Sequence, residues 1–148
     1  MRPRNRWLIA GGCLSLAASA LHLAVMAGGA DWYRFFGAGE AMARAAERGS
    51  PMPTLLTLSI ALVLAVWAIY AFAGADVMRR LPFMPGALVA ISAAYLLRGA
   101  FVLYPPAFNR PDLPPDFMLW SSLIVLIFGI VHAVGTWIAW DQLSTRRT

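Results

Sequence analysis

The sequence predicts an all-α, polytopic membrane protein: a four-transmembrane-helix bundle with one short extramembrane helix between spans 1 and 2. Three observations predict it. The chain is 60% hydrophobic and only 13% charged, against about 25% charged residues in soluble domains. The deficit is local, because four apolar runs, each long enough for a hydrocarbon core about 30 Å thick, alternate with short polar stretches. All twelve basic residues are arginine, and all but Arg98 lie near the chain ends or in the connections, where charge sets orientation. One membrane domain, residues 1–148, accounts for the chain, with no strong internal repeat.

The first span is expected over 7–29. It follows the positive stretch MRPRNR, and Ala18-Ser19-Ala20 resembles a signal-peptidase site. The apolar run continues past that site, so an uncleaved helix is expected rather than a signal peptide, whose apolar core runs about 7–15 residues. Gly11, Ser15, Ser19, His22 and Met26 share one face at steps of three and four, and small residues there let helices approach closely. Gly28-Gly29 ends the helix. Trp32, Tyr33, Phe35 and Phe36 suit the headgroup boundary. Gly37 and Gly39 bracket a turn, and a short helix is expected from Glu40 onward, stopped by Gly49. Its polar and apolar faces suit a helix lying on the membrane surface.

The second span is expected over 54–74, with Pro51 and Pro53 at its start. The third, 85–104, contains Arg98, a charge that costs about 2.5–3.5 kcal/mol at mid-membrane on insertion scales. The connection PPAFNRPDLPPD, stiffened by proline, holds Asp112 and Asp116. The fourth span, 117–140, repeats Ser122, Val125, Gly129, His132 and Thr136 along one face, with Trp120, Trp137 and Trp140 toward its ends.

Four spans place both termini on one side. That side carries seven arginines, against four in the connections on the other. The excess predicts cytoplasmic termini, in the inner (plasma) membrane if the cell is bacterial. Cys13 is the one cysteine, which excludes an intrachain disulfide, a CxxC redox pair and a thiolate metal site; a small buried role is expected for it. The net charge of +5 comes with no basic stripe interleaved with aromatics, so no nucleic-acid partner is expected.

Counting 1.5 Å per helical residue puts His22 and Arg98 each about 10 Å below the outer surface. Tyr95, Ser121 and Ser122 fall near them. The expected site is therefore an outward-facing polar pocket of His22, Glu40, Tyr95, Arg98, Ser121 and Ser122, taking a lipid or small molecule. Asp31, Asp112 and Asp116 are further partners for the guanidinium, and Glu40 is the first candidate for an ion pair with Arg98. The rival account is that Arg98 snorkels to the headgroups. His132 forms a second polar site, about 12 Å from the inner end, with Ser15 as a partner at similar depth. The two histidines differ in depth by about 10 Å, which disfavours one haem between them. No span holds an acid, and no phosphate loop, nucleophile elbow or HExxH occurs. No metal, no cofactor and no catalytic residue is assigned. Two other readings stand beside the pocket: an accessory subunit packing its small-residue faces on a membrane partner or a second copy, and an enzyme acting on a lipid-soluble substrate.

The segment 22–40, with DWYRFFGAGE, resembles small four-span bacterial inner-membrane proteins, and the likeness extends to YLLRGA, WSSL and VHAVG in the third and fourth spans. The resemblance implies a bacterial integral membrane protein without an assigned activity. It gives weight to Glu40, Arg98, Ser121 and His132, which lie inside those motifs.

Overall fold

The computed structural model describes residues 4–104, 113 and 116–145. Among them the regular structure is all helix: α1 (Arg6–Phe35), α2 (Glu40–Glu47), α3 (Met52–Gly74), α4 (Met84–Gly99) and α5 (Phe117–Ser144), with a 3₁₀ turn, Ala100–Leu103, prolonging α4. Four of these helices, α4 taken with its 3₁₀ turn, are long and apolar enough to cross a membrane.

Asn5 starts α1. Its Oδ1 accepts from the backbone N–H groups of Trp7 and Leu8 at 3.1 and 3.2 Å, satisfying two donors that a helix start leaves open. Its Nδ2 donates to the Gly135 carbonyl at 2.7 Å, which fixes the start of α1 against α5. The expected end of the first span, Gly28-Gly29, is a break rather than a stop. Gly29 has φ 71° and ψ −153°, a conformation nearly confined to glycine, and helix resumes through Phe35. The break lets Tyr33 swing inward, where it is buried against Val25 and Ala43. The chain then reverses at Gly37 and Gly39, both at positive φ, and enters α2.

The long helices form a ring. α1 packs most extensively on α3, and α4 on α5; α1 against α5 and α3 against α4 close the arrangement. α1 and α4 therefore face each other along a diagonal. Close approach of α4 to α5 depends on two missing side chains. A Cβ on Gly99 would stand 2.5 Å from the Leu126 backbone, and one on Gly129 would stand 2.8 Å from the Leu96 nitrogen. Apolar clusters hold the helices together at three levels: Leu8, Met84, Leu88 and Leu143 near the terminal end, Leu64, Ile91 and Tyr95 in the middle, and Val25 and Tyr33 of α1 against Ala43 of α2.

The outer faces are apolar as well; Leu62, Leu97 and Trp137 are 59%, 72% and 79% exposed. Cys13 belongs to that outer surface, contrary to the buried role expected from its size. The inward face of α1 is Gly11, Gly12, Ser15 and Ser19, and two residues beyond Gly11 is about 200° around the helix.

Candidate functional site

The six residues expected in one outward-facing cluster divide among separate groups: Glu40 at the α2 end, Arg98 with Ser121 and Ser122, His22 on its own helix, and Tyr95 with the second polar site at His132. At the α2 end, Arg34 is the hub. It sits on the helical extension beyond Gly29, beside the first turn of α2. It donates to Glu40 through Nε at 2.9 Å, to Glu47 at 2.7 Å and to Asp31 at 3.3 Å. Arg44 adds a second cation on Glu40 at 2.9 Å. Two arginine donors hold the Glu40 carboxyl down at about 2, Arg34 first and Arg44 second. The expected Arg98 ion pair with Glu40, or with Asp31, is thus corrected: both acids belong to Arg34. The reason is distance along the chain, since Arg34 is six residues from Glu40 and exposed enough to reach it without burying charge.

Arg98 lies between α4 and α5. It donates from Nη1 to Ser122 Oγ at 3.0 Å and from Nη2 to Ser121 Oγ at 3.2 Å. Its guanidinium carbon is 5.7 Å from the Phe101 ring centroid, within cation–π range. Ser121 passes its own hydroxyl to the Met118 carbonyl at 3.3 Å. The close α4–α5 contact at Gly99 brings the two serines within the arginine's reach. Among the described residues no carboxylate pairs with Arg98, Asp116 included; Asp112 lies outside the described residues. His22 does not join this group. Its Nδ1 donates back to the Ala18 carbonyl of its own helix at 2.8 Å.

Tyr95 leaves the outer cluster too. Its hydroxyl crosses the diagonal to Ser15 Oγ at 2.9 Å, and Ser15 Oγ is 3.3 Å from His132 Nε2. His132 Nδ1 is 2.8 Å from the Phe128 carbonyl. A carbonyl only accepts, so in the neutral ring Nδ1 carries the hydrogen and Nε2 accepts. That fixes one direction for the chain: Tyr95 donates to Ser15, Ser15 to His132, and His132 to Phe128. The imidazole stands where a Cβ of residue 11 would be, 2.9 Å away, so Gly11 makes its room. Trp67 and Phe128 pack edge-on against Tyr95 at 4.9 and 5.6 Å. Ser15 and His132 are fully buried. Elsewhere Ser19 donates to the Ala61 carbonyl at 2.8 Å, and Thr57 to the Tyr33 hydroxyl at 3.3 Å. Every buried polar side-chain atom among the described residues has a partner, and no three metal-ligating side chains converge there.

Depth counting from the sequence paired Ser15 with His132 but assigned Tyr95 outward. The signal it lacked was rotation: Tyr95 lies on the same inward face as Ile91, Ser92 and Gly99, while Arg98 sits at the edge of that face. A half-open cleft of about 340 Å³ lies at the opposite end of the bundle, lined by Arg4, Arg6, Trp7, Asp76, Ile138 and Gln142 among others.

No family model, curated protein or solved structure matches the chain.

Proposed function

We propose that the chain is an integral membrane protein whose four long helices cross the bilayer with both termini cytoplasmic, and that the Arg98–Ser121–Ser122 crevice takes an anionic lipid headgroup from the outer leaflet. The observation that carries this reading is the partner set of Arg98. Two serine hydroxyls orient the planar guanidinium without neutralising it. A fork so held matches a phosphate oxygen pair. The residue lies about 9 Å below the outer end of its helix, a depth a long stem can cover.

The other readings draw less support. The small-residue faces that suggested a partner subunit are occupied inside the bundle, with Gly11 against His132 and Gly129 against Leu96. The enzyme reading would look to Ser15 beside His132, and both are fully buried inside the bundle.

Native mass spectrometry of protein extracted in mild detergent tests the proposal. The wild type should carry a retained anionic lipid that Arg98→Gln loses and Arg98→Lys holds more weakly. An unchanged lipid complement in Arg98→Gln would sink it.

A further inference from the structure

We infer that the cleft at the terminal end of the bundle is a second lipid site, binding the phosphate of an anionic phospholipid in the cytoplasmic leaflet. This rests on the membrane reading above but not on the Arg98 crevice. The cleft holds about 340 Å³, within the range of about 300–1,000 Å³ typical of small-molecule sites. Among the described residues that line it, Arg4 and Arg6 are opposed by one acid, Asp76, so their summed formal charge is positive.

The helix end itself is not the binding group, because Asn5 already occupies the Trp7 and Leu8 N–H groups. The arginines are the free donors: neither makes a side-chain hydrogen bond or ion pair among the described residues. Two apolar residues at the rim choose between a lipid and free phosphate. Trp7 and Ile138 are 46% and 54% exposed and stand where the apolar outer face of the bundle meets its polar end. A ligand with phosphate between the arginines and acyl chains along Trp7 and Ile138 satisfies both halves; inorganic phosphate satisfies one. Tryptophan at this level is also the usual headgroup-depth anchor.

The test is native mass spectrometry of the full chain in mild detergent, titrated with phosphatidylglycerol, phosphatidylcholine or inorganic phosphate. Phosphatidylglycerol should be retained in preference to the other two. Arg6→Gln should weaken that retention about fivefold, the worth of one arginine near an anionic surface. Arg79→Gln removes the same charge from the same end but from outside the cleft, and should change retention by less than about twofold. Asp76→Asn should strengthen it. Asp76 has φ 56°, which asparagine also tolerates, so the turn survives while the opposing charge goes. Arg6, Arg79 and Asp76 are exposed, so these variants should fold. Equal losses in Arg6→Gln and Arg79→Gln would mean diffuse surface charge and overturn the inference. So would retention of inorganic phosphate in place of the lipid, or retention abolished by Arg98→Gln alone, which would leave the Arg98 crevice as the lipid site.

Discussion

The Ser15 hydroxyl serves two neighbours at once, accepting from Tyr95 and donating to His132, and its loss should differ from the loss of either neighbour. Ser15→Ala would leave the His132 nitrogen and the Tyr95 hydroxyl together without a partner in a fully buried place. An unsatisfied buried polar group costs about 1–3 kcal/mol, although membrane hydrogen bonds measured by double-mutant cycles average only about 0.6 kcal/mol. Tyr95→Phe removes only the outermost donor; Ser15 keeps its bond to His132. Thermal melts in detergent should therefore show Ser15→Ala falling further than Tyr95→Phe, and the double variant should cost less than the sum. Equal losses from the two single variants would mean that ring packing around Tyr95, not the directed hydrogen-bond chain, sets the energetics.

At the level of elements, α2 is held by charge at its first turn and by small apolar residues beneath. Glu40 drops from 4.5 to about 2 because Arg34, then Arg44, hydrogen-bonds its carboxylate. A lowered folded-state value adds stability that is complete above the ordinary value and is lost as pH falls toward the folded one. Amide exchange across α2, corrected for intrinsic rates, should quicken between pH 4.5 and 2, and Glu40→Gln should remove most of that step. Flat exchange in the wild type would leave Tyr33 and Ala43 as the real anchor. The α4–α5 contact gives a second test. Gly129→Ala drives a methyl into the Leu96 backbone, and such overpacking costs about 1–3 kcal/mol; a clear drop in melting temperature is expected. These elements differ in how far the sequence revealed them. Helix existence was legible, because an apolar run and its glycine or proline borders are local. The resumption of α1 past Gly29 was not, since a glycine pair reads equally as a stop or a bend. Nor was the sorting of polar residues: position along an axis gives depth but not rotation. So Arg98 and Tyr95, three residues apart, were grouped together although one turns to Ser121 and Ser122 and the other to Ser15.

The molecule as a whole has two unlike polar ends joined by apolar walls. One end is the acid-rich cap of Asp31, Glu40 and Glu47 around Arg34. The other gathers Arg4, Arg6, Arg79 and Arg80 at the start of α1 and the turn after α3, and Arg80 there donates to the Gln142 carbonyl near the end of α5. Arginine on short connections resists translocation, while acids contribute little, so the arginine-rich end should remain in the cytoplasm and the α2 cap should face outward. The prediction is specific because the two ends offer matched exposed positions. In a Cys13→Ser background, Ala41→Cys on α2 and Met78→Cys beside Arg79 both present an exposed residue. A membrane-impermeant thiol reagent applied to intact cells should label the first and spare the second until the cells are broken. Labelling of position 78 alone would invert the protein, carrying the Arg98 crevice to the inner leaflet and the Arg4–Arg6 cleft to the outer one. Labelling of both in intact cells would mean that the bundle does not separate two compartments, and the membrane reading would fall with both lipid sites.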